Sequence, residues 1–284
     1  MSDPAELASQ LEGRIRGYGA PRALVALSGG VDSSVVLALA ARALGPTAVT
    51  AVTARSPSLP AGELDGARAV AGQLGVAHRT LSTREVEREA YTRNDALRCY
   101  HCKAELYGTL RRLARRERAA GRAVLAGANA DDALDVRPGL RAADEQGVRN
   151  PLLEGGVGKE AVRALARHLG LSVADKPALA CLSSRVAQGI RITPELLERI
   201  DRAERIVREL GFATVRVRHL GRRASIEVEA VDVARLEGHA RRGDVLERLR
   251  GLGWEQVGVD PEGYRQGNLA APLPLVRAGR AGAR

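Results

Sequence analysis

Between residues 22 and 170, short apolar runs alternate with longer helical patterns, and no other feature of the chain narrows its possible folds so far. Strand-like runs at 23–27, 48–53, 77–81 and 123–126 are separated by helical patterns at 32–44, 62–74 and 103–119. Each helical pattern is followed closely by Gly45, Gly75 or Gly121, the residue type that ends a helix without a Cβ clash. This is the grammar of parallel βα units. It continues with a predicted helix at 159–169, stopped by Gly170, and a short strand at 171–174.

After Ile192 the pattern changes. Thr193 is placed to cap a helix, Pro194 fits its first position, and Leu197, Ile200, Ala203, Val207 and Leu210 recur at helical spacing before Gly211. Alternating runs at 212–220 and 224–231, separated by Gly221, Arg222 and Arg223, predict a hairpin. A helix at 233–249 and a short strand near Trp254 follow. The chain therefore divides into a parallel α/β domain at 1–190, a smaller α+β domain at 191–270 and a flexible tail at 271–284, rich in Ala, Gly, Pro and Arg.

No stretch approaches the roughly 18 apolar residues of a membrane helix. The opening MSDPAELASQLEG carries early acids where a secretory signal needs an apolar run, so a cytoplasmic protein without a membrane partner is expected. Lys and Arg number 44 against 34 Asp and Glu, a net charge of +10, which predicts acidic partners. With five Tyr, one Trp and one Phe, the core must be packed from Ala, Val and Leu, and RNA recognition by rows of stacking rings is disfavoured.

The string Ser28-Gly29-Gly30-Val31-Asp32-Ser33-Ser34 follows an apolar strand and opens a helix. Paired glycines let the backbone aim its N–H groups at an anion, the helix N-terminus adds positive potential, and the serines add donors. A glycine turn capped by Ser28 or Asp32 is the plainer reading of the same residues. The Walker ending and the dinucleotide spacing are both missing. In its strand–loop–helix setting the string resembles the SGGxDS motif of the PP-loop ATP pyrophosphatases, of adenine nucleotide alpha hydrolase-like fold. That resemblance implies a parallel sheet flanked by helices, and ATP with Mg2+ as cofactors. It further implies that Ser28, Gly29, Gly30, Asp32, Ser33 and Ser34 hold the pyrophosphate end of ATP, with Asp32 as the magnesium candidate. In Gly127-Ala128-Asn129-Ala130-Asp131-Asp132, at the end of the fourth strand, Asn129 and Asp131 either orient nucleotide or cap a turn. Asn150-Pro151-Leu152 resembles the SPL stretch of the same superfamily.

Three cysteines, an odd number, argue against a disulfide framework. Cys99 and Cys102 form a C-x-x-C within RCYHCK, just before the predicted helix from Lys103; alone this fits a redox pair, half a zinc site or a cluster site. Cys181 lies in KPALACLSSR, either an inert small hydrophobe or, between Lys176 and Arg185, an activated sulfur. Taken in order, SGGVDSS, RCYHCK, GANADD, Arg137-Pro138-Gly139, KPALACLSSR and the Pro261 to Gly267 stretch resemble the LarE family of ATP-dependent sulfur transferases over nearly the whole chain. The resemblance implies that a pyridinium-3,5-biscarboxylic acid mononucleotide is adenylated and sulfurated, in biosynthesis of the nickel-pincer nucleotide cofactor of lactate racemase. One branch of the family sacrifices the sulfur of a cysteine at the position of Cys181. Cys99, Cys102 and Cys181 match the other branch, whose three cysteines hold a 4Fe-4S cluster. A small-molecule nucleotide substrate, a sulfur donor protein, lactate racemase maturation partners and a homo-oligomer (trimer or hexamer) are implied with it.

Arg216 and Arg218 alternate onto one face of the first hairpin strand, with Glu227 opposite Arg216, so a cross-strand ion pair competes with a ligand role. The resemblance makes Arg216, Arg218, Ser184 and Arg185 candidates for the substrate phosphate, and Glu204 and Asp232 candidates for positioning substrate or metal. Arg111, Arg112, Arg115, Arg116 and Arg118 read as the solvated face of an amphipathic helix, and His101 as a loop residue or an outer donor. Two alternatives stand beside this reading: a tRNA thiolase with the same loop and an iron–sulfur cluster, and a non-catalytic nucleic-acid-binding protein stabilised by zinc.

Overall fold

The computed structural model of the chain describes residues 3–116, 121–133, 138–177 and 180–265. Arg118, Arg137, Gln266, Gly267 and the 271–284 tail lie outside the described residues. In chain order the first half runs α1 (Pro4–Gly17), β1 (Arg22–Ala26), α2 (Val31–Leu44), β2 (Val49–Arg55), α3 (Glu63–Gln73), β3 (Ala77–Ser82), α4 (Glu89–Thr92), α5 (Arg98–Arg116) and β4 (Arg122–Leu125). It continues through α6 (Pro138–Glu145), α7 (Pro151–Glu154) and α8 (Lys159–His168). The second half holds α9 (Pro194–Arg208), β5 (Val215–Leu220), β6 (Arg223–Val228), α10 (Val233–Glu237), α11 (Arg242–Gly251) and β7 (Gln256–Val259).

The first four strands form one parallel sheet in the order β3-β2-β1-β4. Its central strand β1 buries Ala23, Leu24 and Val25 completely, as a parallel strand covered on both faces must. One face packs with α1, α2 and α8; Leu24, Val52 and Val124 face a second cluster with α5 and α6. The scarcity of aromatics shows in α2, whose residues Val35 to Ala40 are all buried: small Ala and Val side chains let this helix sink among its neighbours. Beyond residue 190, β5 and β6 are antiparallel and β7 joins β6 in parallel. Their core, built on α9, α11 and Trp254, also takes in Tyr91 and Leu182 from earlier in the chain. Among the described residues no helix is long and apolar enough to cross a membrane.

Four expectations are corrected. Residues 171–174 make turns in place of a strand: Leu171, Val173 and Ala174 are buried against the first core, but Ala174 N–H bonds to the Leu171 carbonyl and no ladder forms. An apolar run carries the same signal in either state. The helix expected from Lys103 starts at Arg98, because Asp95 accepts from Leu97 N–H at 2.8 Å and sets the first turn there. The hairpin turn spans only Gly221 and Arg222, since Leu220 is already registered with Arg223. The helix expected at 233–249 breaks at Gly238 into α10 and α11.

His219 and Trp254 give this second core a pH dependence. Trp254 Nε1–H donates to His219 Nδ1 at 2.8 Å, which requires the neutral ring, and both residues are buried. Burial first, then Arg199, holds the imidazole below its usual 6.5. Folded His219 therefore binds a proton less readily than the unfolded chain does. Its contribution is complete above the unfolded value of about 6.5 and is lost as pH falls through the lower folded value. Thermal midpoints measured from pH 7.5 to 5 should fall more steeply for the native protein than for His219→Gln; parallel curves would contradict this assignment.

Candidate active site

The phosphate loop stands at the C-terminal edge of β1, where open α/β sheets bind ligands. Leu27 N–H continues the sheet by donating to the Val52 carbonyl at 2.9 Å, and the chain then turns at Gly29, whose φ of 79° lies in the left-handed region. The positive φ favours glycine, and a Cβ there would lie 3.1 Å from the Glu63 carbonyl oxygen, a tight contact with backbone. Within the loop Ser33 Oγ accepts from Ser28 N–H at 3.2 Å and donates to the Gly30 carbonyl at 3.0 Å, and Ser34 Oγ donates to the same carbonyl at 2.9 Å. Gly30, the cap of α2, has no side chain to close the first turn, which leaves that positive end for an anion.

Around this loop the expected residues gather. Asn129 Nδ2 donates to Asp32 Oδ1 at 2.9 Å, while Asn129 Oδ1 accepts from Asp131 N–H at 3.0 Å. Gly127 lets β4 approach: a Cβ on it would sit 2.7 Å from Ser33 N and 2.9 Å from the Asp32 carbonyl carbon. Two lysines that the loop motif does not mark stand against the loop. Lys159 opens α8, pairs with Asp32 Oδ2 at 2.5 Å and donates its backbone N–H to Asp131 Oδ2 at 2.9 Å. Its signal was the Gly158-Lys159 start of a helix, which reads equally as an ordinary stop in a loop. Lys176 donates to the Gly29 carbonyl at 3.1 Å and pairs with Glu63 at 2.8 Å.

Cys99 and Cys102 fall in the first turn of α5, three positions apart and so on neighbouring faces. Cys181 caps the short 3-10 turn Leu182–Arg185. Arg98 ties the two segments together, donating to the Ser183 carbonyl at 2.9 Å and to Asn94 Oδ1 at 2.7 Å. Asn94, in the left-handed region at φ 57°, donates in turn to the carbonyls of Ala187 and Ile190 at 2.8 and 3.1 Å. Tyr91 and Ser183 share a hydroxyl bond of 2.5 Å behind them.

The thiols lie within electrostatic reach of one another. Burial pushes the Cys102 thiol up to about 12, opposed by Lys103 and assisted by Cys181 and Cys99. Burial opposes the charge on Arg98, but the Cys181 and Cys99 sulfurs hold its guanidinium above the usual value. Cys99 and Cys181 are exposed and Cys102 is half-buried. Among the described residues no three His, Cys, Asp or Glu side chains close on a single ion. His101 is half-buried in the same turn, with its ring edge-on to Tyr100.

Of the residues expected near a substrate phosphate, Ser184 and Arg185 lie beside Cys181 and Arg216 lies near Arg185, whereas Arg218 is tied to Glu227. Arg185, 2% exposed, pairs with Glu204 at 2.7 Å and donates to the carbonyls of Ala180 and Cys181 and to Ser184 Oγ. Glu204, fully buried, also holds Arg208 at 2.8 Å and accepts from Val217 N–H at 3.2 Å. Arg216 is registered opposite Glu227, yet it is Arg218, diagonally placed, that takes the bidentate pair with Glu227 at 2.6 and 3.0 Å. Arg216 lies over the Tyr264 ring at 5.4 Å, and burial, with Arg185 next to it, lowers its guanidinium below the usual value. Asp232 pairs with Arg235 at 3.0 Å.

Comparison with known proteins bears on this arrangement. Residues 19–184 match the asparagine synthase family model. A pyridinium-3,5-bisthiocarboxylic acid mononucleotide synthase of Lactiplantibacillus plantarum is 36% identical over 87% of this chain and 88% of its own. An uncharacterised protein of Synechocystis is 43% identical over 93% of this chain and 97% of its own. A tRNA-specific 2-thiouridylase of Rhizorhabdus wittichii is 36% identical but covers 62% of this chain and 56% of its own length.

Proposed function

Because the chain belongs to the LarE family of sulfur-transferring PP-loop enzymes, we propose that it adenylates the carboxylates of pyridinium-3,5-biscarboxylic acid mononucleotide and replaces AMP with sulfur. The observation that carries this reading is the meeting of Cys99 and Cys181 at Arg98, with Cys102 in electrostatic reach of both, on a protein whose other site is a phosphate loop. The chemistry requires both. A carboxylate resists nucleophiles until one of its oxygens becomes part of a leaving group.

In the first step a substrate carboxylate oxygen attacks the α-phosphorus of ATP, the bond to the β-phosphate oxygen breaks, and pyrophosphate leaves. The α2 N-terminus, Ser28, Gly29, Gly30, Ser33 and Ser34 bind the departing phosphates, and Lys159, released from Asp32, neutralises them. Mg2+ when bound offsets charge on the leaving pyrophosphate, and Asp32, steadied by Asn129, is the carboxylate that would hold it. In the second step sulfide-level sulfur, as hydrosulfide, attacks the acyl carbon, the carbon–oxygen bond to AMP breaks so that AMP leaves, and loss of the S–H proton gives the thiocarboxylate. Arg216, Arg218, Ser184 and Arg185 border the place for the substrate's own phosphate, Arg185 by fixing the Cys181 main chain.

The donor chemistry at the thiols suits a 4Fe-4S cluster: three soft sulfurs stand in electrostatic reach of one another and of the cations of Arg98 and Lys103. Such a cluster on Cys99, Cys102 and Cys181 would supply an open iron able to carry a transferable sulfide. Protein purified without oxygen should then be brown, and Cys99→Ala should lose both iron and repeated turnover. Unchanged iron and repeated turnover in that variant would refute the cluster assignment, and dehydroalanine at Cys181 would assign the sacrificial route.

The test of the function is pyrophosphate release from ATP with the pyridinium dicarboxylate mononucleotide, with bulk tRNA and with neither. Stimulation by the mononucleotide is expected, and stimulation by tRNA alone would give the chain to the thiolases instead. The similarity to a thiouridylase covers about half of that enzyme, against nearly all of the synthase, which favours the small substrate.

A further inference from the structure

Lys176 connects two parts of the site that lie far apart in sequence. Its ammonium donates to the Gly29 carbonyl at 3.1 Å, inside the phosphate loop, and to Glu63 Oε2 at 2.8 Å, at the start of α3. The side chain is 25% exposed and its carboxylate partner 14%, so the pair is shielded more than a surface ion pair. The main chain at this residue belongs to the same frame: Lys176 N–H donates to the Val173 carbonyl at 3.0 Å, and Arg163 donates to the Ala174 and Lys176 carbonyls at 2.8 and 3.0 Å. Five positions further on is Cys181, whose segment is held from the other side by Arg185 and by Leu182 N–H on the Ser58 carbonyl at 2.8 Å.

We propose that Lys176 is a positioning residue through which nucleotide in the Ser28–Ser34 loop governs the placement of Cys181. The proposal rests on the ATP-dependent sulfur transfer put forward above. A polyphosphate in the loop brings negative charge beside an ammonium already bonded to the loop's own carbonyl, and this ligand-dependent attraction can favour one arrangement of the lysine over another. The main chain cannot stretch beyond about 3.3–3.6 Å per residue, so holding Lys176 against an occupied loop restricts where Cys181 can lie. Sulfur would then be presented only after ATP has arrived, when an acyl adenylate can form. A lysine that merely braces α3 against the loop would make the same two bonds without this response.

Amide hydrogen exchange of the protein as purified, with and without Mg·ATP, separates these possibilities. In the native chain Mg·ATP should slow exchange at 28–34 and also slow it about fivefold at 180–186, the low end of ordinary coupling between sites. In Lys176→Met the protection at 28–34 should persist while that at 180–186 disappears, and Lys176→Arg, which keeps a cation, should retain both. Equal protection of 180–186 in native protein and Lys176→Met overturns the proposal. Protection of 28–34 without any at 180–186 in the native chain also overturns it and leaves the nucleotide reading intact. No protection at 28–34 in the native chain removes both. Should Lys176→Met fail to fold, loss of the 180–186 response in Glu63→Gln, which frees the ammonium from α3 but leaves it on Gly29, would count against the proposal, and its retention would support it.

Discussion

Gly127→Ala should weaken ATP binding by about one to two orders of magnitude. The added methyl would lie 2.7 Å from Ser33 N, 2.8 Å from Ser33 Cα and 2.9 Å from the Asp32 carbonyl carbon, all of them backbone atoms at the start of α2. Backbone cannot swing aside as a flexible side chain can, so β4 and the phosphate loop must part. Overpacking of this kind costs roughly 1–3 kcal/mol. Here the displaced atoms are the anion donors themselves, so Mg·ATP affinity should fall by about one to two orders of magnitude. Equilibrium titration of Mg·ATP measures this. Gly13→Ala supplies the contrast, because nothing lies within 4 Å of a Cβ there and the site is the interior of a helix. That variant should bind ATP normally and be stabilised by roughly 0.5–1 kcal/mol. Native affinity in Gly127→Ala would show that the loop does not hold the nucleotide as described.

The second large effect is expected at Glu204, in stability. Removing it by Glu204→Ala leaves Arg185, 2% exposed, without its carboxylate, and also deprives Arg208 and Val217 N–H of their acceptor. An uncompensated buried charge costs about 3–5 kcal/mol. The midpoint of urea unfolding should therefore drop steeply. Glu209→Ala, which breaks exposed pairs with Arg248 and Arg241, should leave the midpoint nearly unchanged. The loss would reach the chemistry too, because Arg185 is what holds the Ala180 and Cys181 carbonyls. A Glu204→Ala protein as stable as the native one would mean that the buried pair contributes nothing to the second core.

What the residues alone disclosed follows from how local each signal is. The phosphate loop is contiguous, its glycines and serines bond mainly within seven residues, and so its form was legible. The parallel βα units were legible for the same reason, since each predicted helix is closed by its own glycine, whereas the strand order β3-β2-β1-β4 depends on contacts between distant segments. The partnership of Arg216 and Arg218 with Glu227 was only half legible: pairing register follows from the hairpin, whereas the choice of the diagonal Arg218 depends on which side chain reaches. Lys159 and Lys176 were not legible as site residues, because their partners, Asp32 and Gly29, are more than a hundred positions away. Arg185 and Glu204 showed the opposite problem. An arginine next to a reactive cysteine looks like a ligand for an anion, yet a carboxylate brought up by α9 already occupies it in the structure.

The most direct measurement of the account is a count of products from one anaerobic incubation with Mg·ATP and pyridinium-3,5-biscarboxylic acid mononucleotide, read by mass spectrometry. A thiocarboxylate is expected in which sulfur has replaced a carboxylate oxygen, with one AMP and one pyrophosphate formed for each sulfur transferred, and no thiocarboxylate from Cys181→Ala although pyrophosphate release persists. AMP and pyrophosphate released by the native protein with no sulfur in the product, or a thiocarboxylate made equally well by Cys181→Ala, would contradict it.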